Sequence, residues 1–520
     1  MPNYLSPGVY VEEVDGGSRP IEGAGTAVGA FIGFSADGPV NEARLVTNWS
    51  QYAQTFGDMI PGSYLGLSVY NFFNNGGGSC YVIRIGADST GSEPQATAEL
   101  MSSAKPDQVS YRVKALESGA PGDSLTVSVT AVASAPAGED DEASDDELFN
   151  IVVKQGGREA ERHEGLSAKK GKTNVATVVN AASQLISIEE VATSGSVADR
   201  VPGAADVSLS GGVSAAPAQV SADEYVGDSA SRSGLGALEA IEGITMVAIP
   251  DLMAAYEQGL IDLEGVQTVQ TAIIDHCENM GDRMAILDPP PGLNAQQIKD
   301  WRVEKTGYDS KYAALYWPWI RVFDPAQGKN VFMPPSGAMA AVWGRSDDTR
   351  GVHKAPANEI VRGAIDIEVN VTRGEHDQLN PVGINVIRAF PGQGIRIWGA
   401  RTLSSDPAWR YINVRRLFNY LETSILNGTN WVVFESNDLD LWQRIRRTIS
   451  SFLLGSWRDG ALFGATPDEA FYVKCDSETN PPDSVDGGQV ICEIGIAPVK
   501  PAEFVVFRLS QFSGGADVAE

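Results

Sequence analysis

Short apolar runs alternate with helical stretches on both sides of one aromatic-poor interval, and that pattern leaves few folds open. Ala27–Phe34 (AVGAFIGF) is a continuous apolar run closed by Asp37-Gly38-Pro39, as expected of a strand buried on both faces. Trp49–Phe56 and Leu65–Phe73 have helical spacing, and Cys80–Ile85 (CYVIRI) is the next strand. The alternation resumes near residue 222. Gly234–Ile241 is helical, Ile244–Ile249 a strand, Gly265–Asn279 a helix, Met284–Leu287 a strand and Tyr312–Tyr316 another. The pattern predicts an α/β (α+β) fold whose largely parallel sheet is completed from either side of an insertion.

Between Gly86 and Glu224 the only aromatics are Tyr111 and Phe149, and Ala, Ser, Gly and Val dominate. Strands are expected at Val109–Ala115, Ser124–Ala133, Leu148–Lys154 and Val207–Ser210, with a helix over Val175–Ile186. Seven of the nine residues from Glu139 to Glu147 are acidic, which marks a solvated loop tip without the ligand spacing of a calcium loop. The interval is a small, mostly β unit inserted at the surface.

At 520 residues the chain needs more than one core. The formal charge of −28 argues against nucleic acid as a direct partner. No run of eighteen apolar residues is present, so membrane insertion is not expected. Cys80, Cys277, Cys475 and Cys492 are too few for a disulfide framework; Cys475 and Cys492 could pair across a loop, but reduced thiols are expected. No metal or cofactor site is expected. The sequence lacks a Gly-x-Ser-x-Gly elbow, a dinucleotide loop and a correctly spaced phosphate loop.

In the C-terminal part, Gly394–Leu426 reads as strand, turn and helix. Asp406 is the expected N-cap, with Pro407 at the first helical position. Val414, Leu417, Phe418, Leu421 and Ile425 fall on one stripe; Arg416 points away from it and Arg415 flanks it. A second helix, Ser436–Leu454, gathers Leu441, Trp442, Ile445, Ile449, Phe452 and Leu453 on one side. Arg444 and Arg447 lie opposite, with Asp440 at i−4 of Arg444. Residues 380–460 hold ten Arg, no Lys and six acids, a net of +4 in a chain of −28. Ser6–Val14, containing Val9, Tyr10, Val11 and Glu12, alternates as a strand. Val505–Phe512, with Phe504 before it and Val505, Val506, Phe507 and Arg508 within it, is a second terminal strand. Neither has a hairpin partner next to it, so each is an open template for another chain; pairing of the two termini within one subunit is the alternative.

An ordered series of motifs then accumulates: Ser6-Pro7-Gly8-Val9-Tyr10, Asp282-Arg283 with Leu287-Asp288, Tyr312–Trp319 (YAALYWPW), and Pro334-Pro335-Ser336-Gly337. Arg350–Asn358 (RGVHKAPAN), Leu379-Asn380 with Gly383-Ile384-Asn385, Trp398–Leu403 (WGARTL), Tyr411–Phe418 (YINVRRLF) and Pro501-Ala502-Glu503-Phe504 complete it. Across residues 1–90 and 222–512 the chain resembles the sheath proteins of contractile tails, those of bacteriophages and of phage-tail-like injection systems.

The resemblance implies a non-enzymatic subunit of a helical homopolymer of stacked hexameric rings around an inner tube protein. Baseplate and tail-terminator or cap proteins would be further partners. Contraction would drive the tube through a target envelope. Assembly is expected in the bacterial cytoplasm, as part of a virion tail or a related particle.

The implied organisation is an N-terminal linking arm (1–20), an α/β core (21–90 with 222–370) and the inserted β-rich unit (91–221). A C-terminal sheath unit facing the tube (371–500) and a C-terminal arm (501–520) follow, with both arms exchanged between subunits. Arg444 and Arg447 are expected to contact the tube; solvated arginines with an ordinary Asp440–Arg444 pair are the alternative. Arg350, Lys354, Trp398, Arg401, Arg415 and Arg416 are expected to be lattice or structural residues. Two rival functions are an adhesive or carrier protein using the acidic insertion, and an α/β hydrolase.

Overall fold

In the computed structural model the described residues are 20–86, 95–116, 120–131, 148–191, 196–211 and 220–508. The strands, in chain order, are β1 (Val28–Gly33), β2 (Arg44–Val46), β3 (Ser79–Arg84), β4 (Thr97–Met101), β5 (Val109–Ala115), β6 (Leu125–Ala131) and β7 (Phe149–Gln155). Next come β8 (Arg158–Leu166), β9 (Ile186–Glu190), β10 (Ala205–Ser208), β11 (Met246–Ala248), β12 (Met284–Leu287), β13 (Ala313–Trp317) and β14 (Ile320–Asp324). The last are β15 (Lys329–Met333), β16 (Ala364–Ile367), β17 (Ile384–Phe390), β18 (Gly394–Ile397), β19 (Phe471–Lys474) and β20 (Glu493–Ile496).

Eight strands form the main sheet in the order β18-β17-β13-β12-β11-β1-β3-β2. Its six inner strands are parallel, and β2 and β18 close the two edges antiparallel. The apolar runs are unbroken because alternate residues feed two cores. Ala30, Ile32, Ala285, Leu287, Ala313 and Leu315 enter one, while Phe31, Met284, Ile286, Ala314 and Tyr316 enter the other. Sequence on both sides of the insertion completes the sheet, as expected. The expected boundary at residue 370, however, falls inside it. β17 pairs β13 through Leu315↔Ile384, so the sheet runs on to Ile397 before a C-terminal unit begins.

Two buried carboxyls pin strand ends to helices. Asp251 accepts from Phe34 N (2.6 Å), Leu65 N (3.1 Å), Ser63 Oγ (2.8 Å) and Tyr64 N. Asp288, at the end of β12, accepts from Ser336 N (2.9 Å) at the head of helix Ser336–Arg350, whose first nine residues are buried on every side and whose last three are exposed. Burial pushes both carboxyls up, Asp251 to about 6 and Asp288 to about 7.

Residues 97–210 build two sheets, β4-β5-β9 and β10-β6-β7-β8, around their own apolar cluster. The expected strands appear within a residue or two. β4, β8 and β9 were not expected, and the helix expected to reach Ile186 ends at Ala182; the charges of β8 (REAERHEGL) face water while backbone pairing to β7 holds it in place. The acidic tip lies outside the described residues.

A further cluster joins helices Ile412–Thr429 and Leu439–Arg458 with the β19–β20 ribbon. The first helix starts at Ile412, five residues past Pro407. Asp406 does not cap it, because its carboxylate closes its own turn onto Ala408 N (2.8 Å). Arg401 and Tyr411 then bridge before the helix begins. Among the described residues no helix is long and apolar enough to cross a membrane.

Candidate assembly site

Arg415 and Arg416 are not offered outward from helix Ile412–Thr429. Arg416 is buried and pairs with buried Asp347 on helix Ser336–Arg350, with contacts of 2.8 and 2.5 Å. It also donates to Thr26 O (2.8 Å) and lies over the Trp343 ring. Burial raises the Asp347 carboxyl, and the Arg416 charge opposes that rise. Arg415 is enclosed by the rings of Tyr312, Trp409 and Phe418 and bonds Asn419 (2.7 Å) and Glu422 (3.1 Å). Both are structural: two long side chains fill space that apolar residues would otherwise occupy.

The same helix roots the chain's N-terminal entry. Going down the helix, Arg416 holds Thr26 O, Ser424 Oγ accepts from Ala24 N (2.9 Å), and Ile21 packs over Gly428. A Cβ at Gly428 would sit 2.6 Å from Ile21, so the approach needs glycine there. The entering segment therefore runs antiparallel to the helix, fixed at three levels.

The C-terminal exit is fixed at one carboxylate. Arg401 grips Glu503 through Nε (2.9 Å) and Nη2 (2.6 Å), with Asn380 Nδ2 (2.6 Å) and Tyr411 Oη (3.0 Å) also donating to it. Burial alone would raise the Glu503 carboxyl, but Arg401, Asn380 and Tyr411 together hold it below its ordinary value. Immediately afterwards Phe504, Val505, Val506 and Phe507 are 74%, 68%, 77% and 86% exposed. Arg508 is exposed as well. None of residues 504–508 is in a strand of this subunit; the rest of the expected strand, and the whole of Val9–Glu12, lie outside the described residues.

Arg350, Lys354, Trp398 and Arg401, scattered over fifty residues of sequence, come together with Phe504 and Val505 around one cavity of about 880 Å³. Lys354 is tied to Glu359 (3.0 Å), and Trp398 packs on Phe390 at 4.7 Å. Arg350 is exposed. Arg415 and Arg416 do not line this cavity.

Two family profiles match consecutive stretches: the phage tail sheath protein central domain over residues 230–403 and the phage tail sheath C-terminal domain over 404–512, together more than half of the chain. The chain belongs to the contractile tail sheath family. It is 25% identical over 319 residues to the tail sheath protein of Vibrio phage KVP40, covering 56% of this chain and 47% of that protein. To a putative prophage major tail sheath protein of Pseudomonas aeruginosa it is 23% identical over 362 residues, 64% of this chain and 92% of that one. The chain thus spans about half or less of the phage sheath proteins it matches first. In fold it is similar to the contracted helical sheath of the anti-feeding prophage (TM-score 0.57, 23% identity, 98% and 99% coverage). The contracted PVC sheath, from an extracellular contractile injection system, is similar too (TM-score 0.56, 21% identity, 98% and 99% coverage).

For a sheath-family C-terminal unit, helix Leu439–Arg458 shows the expected division. Leu441, Trp442, Ile445, Ile449 and Leu453 are buried, and Arg447 is exposed. Arg444 pairs with Glu435 (3.7 Å) and stacks over Trp431 (4.5 Å), rather than bonding Asp440. The preceding loop folds back along the helix and brings Glu435 to it; Asp440 sits in the first turn. That loop also carries features the sequence reading passed over: Val433 is largely exposed and Phe434 fully so, the latter with φ +68°. A short apolar run, Trp431–Phe434, after a helix end and before Glu435-Ser436-Asn437 was the available signal.

Proposed function

We propose that the chain is a structural subunit of a contractile sheath. Copies polymerise as stacked hexameric rings around an inner tube, linked by exchanged terminal arms. Contraction of the lattice drives the tube through a target envelope, in a phage tail or a phage-tail-like injection system. Baseplate and terminator proteins bound the polymer, which assembles in the bacterial cytoplasm, and its role is mechanical rather than catalytic. The observation that carries this reading is the abrupt change at Glu503: a fourfold-gripped carboxylate followed by four exposed apolar residues. Such a segment gains little from standing in water and much from a partner's sheet. The β19–β20 ribbon is the receiving element. Within the described residues it is a two-stranded sheet, and Tyr472 and Ile494 on it are exposed. Exchange of this heterologous kind propagates as a helix instead of closing on two copies. Val9–Glu12 of the N-terminal arm would join the same sheet from another copy.

The loop at Val433-Phe434 with Arg444 and Arg447 is the tube-facing surface in this reading, its excess positive charge meeting an acidic tube. The test is electron microscopy of the full chain beside a truncation ending at Glu503. Helical polymers from the full chain, and folded monomers alone from the truncation, are expected. Polymers from both would defeat the arm reading. For the tube, normal tube-bound sheath from a variant with Arg444→Glu and Arg447→Glu would remove those residues from the contact.

A further inference from the structure

The ribbon ends in two thiols. Its register runs from Phe471↔Ile496 to Lys474↔Glu493, so Cys475 and Cys492 are the next residues to face each other. Residues directly opposed on antiparallel strands have Cα atoms about 4.5–5.5 Å apart, inside the roughly 4.4–6.8 Å span of a disulfide. Both are free thiols. Buried Asn480 fixes the loop around them. Its amide bonds Ile491 at both N (2.6 Å) and O (2.9 Å), and its Nδ2 lies 3.9 Å from Cys475 Sγ. Cys475 is buried and Cys492 half-buried, so the pair has one member a reagent can reach and one behind it.

We infer that Cys475 and Cys492 are a redox-responsive pair that closes to an intrachain disulfide by exchange with a small-molecule disulfide, stapling the ribbon at its loop end. The Cys492 thiolate attacks oxidised glutathione, forming a mixed disulfide and releasing one glutathione. The Cys475 thiolate then attacks Cys492 Sγ and expels the second. The two protein protons leave on the two glutathiones, and a dithiol reductant reverses the sequence. Burial pushes both thiols up, Cys492 to about 12. Closure is therefore slow at neutral pH and quickens as pH rises. Cys80 and Cys277 are fully buried in the sheet and in helix Leu263–Met280, and serve as internal controls. The chemistry stands independently of what the ribbon receives.

The test treats the full-length protein with oxidised glutathione, alkylates remaining thiols after unfolding, and maps peptides without reduction. Expected are a Cys475–Cys492 linked peptide, an intact mass lower by two hydrogens, and Cys80 and Cys277 recovered alkylated. The Cys475→Ser variant should instead retain glutathione on Cys492, having no second thiol to expel it. No linkage, disulfide-bonded dimers, or a stable glutathione adduct on the parent protein would each overturn the inference. So would a Cys475→Ser variant that carries no adduct while its melting temperature matches the parent's.

Discussion

The two terminal segments are anchored to the C-terminal part of the subunit on opposite principles. At the entry, Ile21, Ala24 and Thr26 lie along one helix and are held by packing, a hydroxyl and a buried arginine. At the exit, one carboxylate collects four bonds, and the next four residues are largely exposed. The entry is insensitive to ionic conditions because its one charge pair is out of water. The exit depends on charge and on a single residue.

The most damaging way to break the entry is Asp347→Ala. It strands a buried guanidinium, and a loss of about 3–5 kcal/mol in denaturant unfolding is expected. At the exit, Glu503→Ala leaves Arg401 partly solvated, so about 1.5–3 kcal/mol is expected, read as faster proteolysis beyond Val499 with little change in global melting. Acid should separate the two roots further. The Glu503 carboxyl is depressed, so its contribution is present above the ordinary value of 4.5 and is lost as pH falls through its lower folded value. Hydrogen exchange near residues 499–503 should rise at low pH while residues 21–26 stay protected.

The core carboxyls respond with the opposite sign. Asp288 is raised from 3.8 to about 7, so the stability it lends at low pH is lost as pH climbs between those values. Asp288→Asn should flatten that slope in thermal unfolding while keeping an acceptor for Ser336 N. The smallest stability effect is expected from Arg447→Glu, within about 0.5 kcal/mol, since the residue is exposed; its consequence should be seen in assembly alone.

The inner strands β1, β3, β11, β12 and β13 were legible in the sequence because they are apolar on both faces and closed by Gly, Pro and Asp, whereas edge strand β2 and β17 were not read. β8 was not, because alternating charges outweigh a backbone ladder in any reading of side chains. The helix from Ile412 was legible in its stripe but not in its start, since an Asp-Pro turn and a helix cap use the same residues. Among the site residues, Arg350, Lys354, Trp398 and Arg401 came from sequence, while their convergence on Glu503 depended on contacts about a hundred positions apart. The burial of Arg416 was hidden for the same reason: its partners, Asp347 and Thr26, are remote.

The three-level entry also has a mechanical meaning. Arg416 to Gly428 spans twelve residues of helix, about 18 Å. A pull on the entering segment along that axis loads the arginine bond, the serine bond and the Ile21 contact together, in shear. A pull on the exit falls first on Glu503 and peels it. If the terminal arms link copies as proposed, a subunit hauled by its neighbours would keep its grip at the entry and yield first at the exit, and the C-terminal connection would set the largest force such a link can carry.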